Sequence, residues 1–236
     1  MGTPLTRRRF LEAAAPGVAA VAATSALSAT AAEKEVPMKI VGVSCSPRKG
    51  KTTAQALSIC LEAARAVAQD RIEVELIELA ELEIPGGPAA GIPLKPGQQD
   101  DFPQVAAKLA GRDVAGIIVG TPVYFGSMTY LCKAFLDRCI ALRMRQFALA
   151  DKVAGVVAVG GVRNGGQELT IQGVQAALLC QEMLLVSDGR PTCHWGATLF
   201  NSGKDDISQD EFGVGTAKNL GRRVAQVALA RAVTQK

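Results

Sequence analysis

Apolar residues in this chain fall into short unbroken runs, separated by longer stretches with helical spacing. Lys39-Ile40-Val41-Gly42-Val43-Ser44 is one such run ending in turn chemistry, the pattern of a strand buried on both faces. Over residues 52–68 the positions Ala56, Ile59, Cys60, Ala63 and Val67 recur every three or four residues, which predicts a helix. Residues 72–77 alternate as a second strand, and 84–97, crowded with Pro and Gly, read as loop. Asp100-Asp101 offers N-cap chemistry to a helix through Leu109. Residues 114–119 form a third strand and 153–159 a fourth, followed by helices over 128–140 and 167–183. Leu184-Leu185-Val186 makes a short fifth strand, 191–204 a loop, and 209–233 a closing helix.

Strand alternates with helix throughout, so the expected fold is α/β with a parallel sheet covered on both faces. Five strands in this order suit a doubly wound sheet of flavodoxin-like type, with strand order 2-1-3-4-5. Ligands of such sheets lie beyond the carboxyl ends of the strands, at the point where the order reverses. Those ends are residues 44–53, 121–127 and 160–167, so three loops should converge on one site.

Composition changes this picture little: 48% hydrophobic and 20% charged residues are enough for an ordinary core. The formal charge is +4, and no stripe of Lys and Arg interleaved with aromatics points to nucleic acid. The first residues differ. Thr6-Arg7-Arg8-Arg9-Phe10-Leu11 precedes a weakly apolar Ala-rich run and then Ala29-Thr30-Ala31. A charged start, an apolar middle and an A-x-A site have the layout of a signal peptide, and the paired arginines resemble the twin-arginine type. The expected organisation is a signal over 1–31, a linker over 32–37 and a single flavodoxin-like domain over 38–236, exported to the periplasm. Twin-arginine export carries folded proteins and suits one that acquires a cofactor before transit.

Each of the converging loops carries chemistry. Cys45-Ser46-Pro47-Arg48-Lys49-Gly50-Lys51-Thr52-Thr53 joins a strand to a helix, where N–H groups, hydroxyls and cations make an anion site. A Walker A loop would need glycine at Cys45, and no apolar strand ends in the acidic residue that helps hold magnesium. A low-molecular-weight phosphotyrosine phosphatase would need Cys, five residues and then Arg, but Lys51 stands there. Thr121-Pro122-Val123-Tyr124-Phe125-Gly126-Ser127 pairs two aromatics with a glycine that closes the loop, able to wrap a flat ring. Gly160-Gly161-Val162-Arg163-Asn164-Gly165-Gly166-Gln167 permits close backbone approach, with Arg163 adding positive charge.

Ser46-Pro47-Arg48-Lys49-Gly50, Pro122-Val123-Tyr124-Phe125-Gly126-Ser127 with Lys133-Ala134-Phe135-Leu136-Asp137-Arg138, and Gly165-Gly166-Gln167-Glu168 together resemble the NADPH-dependent FMN reductase and iron–sulfur flavoprotein group. The resemblance spans residues 38–231 and implies FMN, a flavodoxin-like fold and a homodimer or homotetramer. By that likeness Ser46, Arg48, Lys51, Thr52 and Thr53 would hold the flavin phosphate. Pro122, Val123, Tyr124, Phe125, Gly126 and Ser127, with Gly161, Arg163, Gly165 and Gly166, would frame the ring. The iron–sulfur members carry a compact cysteine cluster after the second strand. Pro85-Gly86-Gly87-Pro88-Ala89-Ala90-Gly91 holds no cysteine, so no iron–sulfur centre is expected.

The expected activity is FMN-dependent oxidoreduction, with electrons from NAD(P)H or a protein donor passing to a small-molecule, quinone or metal acceptor. No side chain is required as acid or base. Export would remove the enzyme from cytoplasmic nicotinamides, so the alternatives are a cytoplasmic enzyme whose basic first residues are not a signal, an exported FMN electron carrier, and a flavin-binding protein without turnover. His194, the single histidine, sits in Cys193-His194-Trp195 as a surface residue or a cover over the flavin.

Overall fold

A computed structural model describes residues 37–234, so the expected signal and all but the last residue of the linker lie outside the described residues. The chain runs β1 (Met38–Ser44), α1 (Thr52–Arg65), β2 (Ile72–Glu78), α2 (Phe102–Leu109) and β3 (Val114–Pro122). It continues through α3 (Tyr130–Arg138), α4 (Ile140–Arg143), β4 (Val153–Gly160), α5 (Gln167–Leu179), β5 (Leu184–Leu185), β6 (Ala197–Phe200) and α6 (Glu211–Thr234). Every named ladder is parallel, and the order β2-β1-β3-β4-β5 is the one the alternation of elements predicts.

The strands sort their side chains by the two-residue pleat. Val41, Val43, Ile117, Val119, Ala154 and Val156 pack with α2, α3 and α5. Ile40, Ile118, Val153 and Val157 pack with α1 and α6 on the opposite face. Ile40 and Ile118 have no solvent exposure, each contributing about 2 kcal/mol of apolar burial. Glycines bring α6 close. A Cβ on Gly116 would stand 2.9 Å from Val224, and one on Gly155 3.0 Å from Leu220 and Val224.

The fifth sheet position is split between two segments. β5 pairs with the start of β4 (Val153↔Leu184), and β6 with its end (Val157↔Ala197 to Gly160↔Phe200). Residues 186–196 leave the sheet between them. β6 lies where the sequence predicts loop, because a four-residue strand flanked by Gly196 and Asn201 offers too few alternations to register. The helix expected over 128–140 starts at Tyr130, since Thr129 caps it by accepting the Cys132 N–H. The helix expected over 167–183 stops at Leu179.

Candidate functional site

Three βα loops meet above the carboxyl ends of β1, β3 and β4. Thr129 ties the first two together. Its hydroxyl donates to Cys45 O at 2.8 Å, and its N–H donates to Thr121 Oγ1 at 3.2 Å. Val123 N–H donates to Val159 O at 2.9 Å, linking the exits of β3 and β4. Gly166 lies so near Gly126 that a Cβ there would stand 2.9 Å from the Gly126 Cα.

The first loop brings an uncapped helix start together with two cations. No side chain caps the start of α1, leaving its leading N–H groups without a side-chain acceptor. Thr52 and Thr53 are buried in that first turn. Gly50 takes φ +65, and its N–H donates to Glu78 Oε2 at 2.8 Å. Ser46 Oγ closes a local turn, accepting the Arg48 N–H and donating to Arg48 O, both at 3.1 Å.

The cations of this loop already surround one anionic group. Arg48 forks onto Asp205, with Nη1 at 3.0 Å from Oδ2 and Nη2 on Oδ1, and Lys51 Nζ lies 3.5 Å from Oδ2. The Arg48 hydrogen bond holds the Asp205 carboxyl below its usual range, and Asp205 in turn raises Arg48. Half-exposed pairs like these add little stability. Their meaning is positional: a carboxylate from the β6–α6 connection lies between the two cations of this loop. Sequence reasoning omits Asp205, because nothing in Asn201-Ser202-Gly203-Lys204-Asp205 ties it to a loop 157 residues away. Cys45, directly before this loop, is fully buried, and burial pushes its thiol well above the usual range. A thiol so held is no nucleophile.

In the second loop, Tyr124 and Ser127 exchange backbone hydrogen bonds of 2.9 and 3.1 Å around Phe125 and Gly126. Both central residues have positive φ, +50 and +71, as in a type I′ turn. Phe125 is fully exposed at the tip and Tyr124 half-exposed beside it. A bulky residue in left-handed backbone costs about 1–2 kcal/mol and is held there by the turn.

The third loop is organised by Gln167. Its Oε1 accepts the Gly165 N–H at 2.8 Å, while Nε2 donates to Val162 O at 2.6 Å and Leu199 O at 3.2 Å. Gly165 and Gly166 serve loop packing, since a Cβ on Gly165 would meet Val162 O at 3.0 Å. Gly161, Gly126 and Gly50 instead border open space, with nothing within 4 Å of a Cβ. Arg163 is not the free positive charge its sequence position suggests. Its guanidinium is bound to Asp210 and lies 4.5 Å from the centre of the Phe200 ring. Asp210 is buried at the start of α6, where it also accepts the Gly213 and Phe200 N–H groups, and it needs a compensating charge.

The Lys133–Arg138 run is structural, as its spacing implies. Lys133 pairs with Asp137 at 2.6 Å, and Arg138 is buried against Asp100 at 2.7 Å, Pro85 O and the Phe102 ring. His194 sits off the sheet edge, its Nδ1 3.4 Å from the buried Asp188 and its ring edge-on to Phe212.

Residues 38–194 match the family of NADPH-dependent FMN reductases. The chain belongs to this family. An iron–sulfur flavoprotein of Methanocaldococcus jannaschii is 40% identical over 196 residues, covering 80% of this chain and 97% of the relative. One from Methanosarcina thermophila is 35% identical, covering 78% and 93%. Among solved structures, a flavodoxin, WrbA-like protein from Agrobacterium tumefaciens superposes with TM-score 0.54 at 22% identity, over 82% of this chain and 98% of that one. RosB with bound 8-demethyl-8-formylriboflavin-5'-phosphate reaches TM-score 0.63 at 18% identity, over 84% and 81%. These two likenesses carry the flavodoxin-like fold.

This FMN reductase family member is a flavin-dependent oxidoreductase with FMN as its cofactor. Its loops fit that group: uncapped helix N–H groups with Arg48 and Lys51 for a phosphate, and open space over Gly126 and Gly161. They do not fit the cluster in the relatives' names. Cys45, Cys132 and Cys139 lie in one core, Cys60 in the other, and Cys180 and Cys193 at the surface. Among the described residues no three His, Cys, Asp or Glu side chains are grouped to hold a metal ion.

Proposed function

We propose that this oxidoreductase passes electrons from NAD(P)H, or from a protein donor, to a small acceptor such as a quinone or a metal species. The supporting observation is the convergence of the uncapped α1 start with Arg48 and Lys51, and of the open Gly126 and Gly161 turns, on one sheet edge. In this reading Ser46, Arg48, Lys51, Thr52 and Thr53 hold the FMN phosphate, and Asp205 yields to it. Pro122 to Ser127 and the Gly161–Gly166 loop frame the ring, with Tyr124 and Phe125 on its rim. Bound FMN supplies the hydride chemistry, and the loops contribute binding, orientation and backbone donors. The exposed aromatics of the 124–125 turn suit a homodimer or homotetramer closing over the site.

An exported electron carrier is the second reading, favoured by Thr6-Arg7-Arg8-Arg9-Phe10-Leu11. Anaerobic addition of NADPH to the yellow protein separates the two. Stoichiometric bleaching supports the reductase, whereas an unchanged flavin spectrum that bleaches with a low-potential protein donor supports the carrier. A purified chain that is colourless and takes up no added FMN overturns both.

A further inference from the structure

Between β5 and β6, residues 187–193 and the middle of α6 enclose a cleft of about 540 Å³. Its wall carries Arg190, Arg222 and Arg223, and none of the three forms an ion pair with a carboxylate among the described residues. At Arg48, by contrast, Asp205 already balances the charge. The lining contains one acid, Asp188, which is fully buried and has its oxygens taken by the His194 N–H and the Thr192 hydroxyl.

All three arginines are exposed, and two of them have a neighbour that positions them. A Cβ on Gly189, which has φ +76, would lie 3.3–3.5 Å from the Arg223 stem, so glycine there lets the stem lie flat along the loop. Arg222 Nη1 donates to Asn219 Oδ1 at 2.9 Å, and Asn219 Nδ2 donates to Thr192 Oγ1 at 2.9 Å. Thr192 continues to Asp188, which holds the His194 backbone. A continuous hydrogen-bond chain therefore runs from the cleft through a buried carboxylate to the residue beside Trp195.

We propose that this cleft binds a diphosphate-bearing ligand. Planar guanidinium groups pair bidentately with phosphate oxygens, and three of them balance the charge of a diphosphate better than that of one carboxylate. The volume is within the range of small-molecule sites and admits more than the two phosphoryl groups. Gln226 adds an amide to the wall. None of the residues lining the cleft belongs to the three FMN loops, so its ligand can be tested apart from the flavin.

The test is isothermal titration calorimetry of inorganic pyrophosphate and of ADP into the full-length protein, at constant ionic strength. Fluorescence of Trp195, the single tryptophan, provides a second readout through the hydrogen-bond chain. Saturable binding is expected, weakened about tenfold by Arg223→Ala and more by Arg190→Ala with Arg223→Ala. It should be unchanged by Arg145→Ala, an exposed arginine outside the cleft, and by Lys51→Ala, which removes a cation of the other anion site. Circular dichroism confirms that each variant is folded. Tighter binding of ADP than of pyrophosphate supports a nucleotide ligand, and equal binding supports the inorganic anion. No saturable binding, equal affinity in the Arg190→Ala/Arg223→Ala protein, or loss of binding in Lys51→Ala overturns the proposal.

Discussion

Arg48 and Asp205 set the behaviour of the anion loop. If the guanidinium serves a phosphate, Arg48→Ala removes charge-assisted hydrogen bonds worth about 1.5–3 kcal/mol and weakens FMN binding tenfold or more. Unchanged affinity by equilibrium dialysis would remove Arg48 from the site. Asp205 competes for the same cations, so Asp205→Asn should tighten FMN a few-fold, an effect that shrinks as salt rises beyond about 0.15 M. Weaker binding in that variant would mean that Asp205 orients the cations for the phosphate rather than excluding it. Phe125 is a different case, since its exposed ring buries nothing. Phe125→Gly relieves left-handed backbone but frees the unfolded chain, so stability by denaturant melts should stay within about 1 kcal/mol. Turnover should fall if the ring covers the flavin, and unchanged kcat/KM would deny Phe125 that role.

Strands and helices were legible in the sequence wherever a run was long enough to show its period. The middles of β1 and β3 and the whole of β4 are apolar because both faces are covered, and that signal also put the loops after them at one end of the sheet. β6 was illegible for the opposite reason, as a short segment that pairs only because residues 186–196 leave the sheet. Site contacts made across the fold, such as Arg48 with Asp205 and Arg163 with Asp210, have no local signature at all. Helix packing was equally silent: a Cβ on Gly221 of α6 would lie 1.9 Å from Cys60 O of α1. Ala for Gly inside a helix normally gains about 1 kcal/mol. Here the close approach reverses the sign, and Gly221→Ala should lose about 3 kcal/mol in urea unfolding. An unchanged or raised midpoint would show that α1 and α6 can separate freely. Between α3 and the segment before α2, the Arg138 hydrogen bonds hold the Asp100 carboxyl below its usual range. A carboxyl whose folded value is depressed contributes fully above its unfolded value of about 3.9, and loses that contribution as pH falls through the folded value. Asp100→Asn should therefore destabilise at neutral pH, with the difference from the parent narrowing toward about pH 3. A gap that persists undiminished in acid would place the cost in packing instead.

At the scale of the whole molecule, the proposed address and the proposed chemistry constrain each other. The proposed flavin site needs three βα loops assembled at once, so in that reading cofactor loading follows folding of the sheet. A twin-arginine route moves folded chains, which makes it compatible with an FMN protein loaded before transit. The same route separates the enzyme from cytoplasmic nicotinamides, and so location decides between a reductase fed by NAD(P)H and a carrier fed by a protein. Replacing Arg7 and Arg8 with lysine keeps the charge but removes the paired guanidinium groups. The substituted chain should stay in the cytoplasmic fraction with FMN bound, while the parent appears in the periplasmic fraction, also yellow. Equal partition of the two proteins would remove the export reading, leaving a cytoplasmic enzyme with direct access to NADPH. A parent protein that arrives in the periplasm without flavin would break the other link, because the loops would then have crossed unloaded and the cofactor could not be the reason for the route.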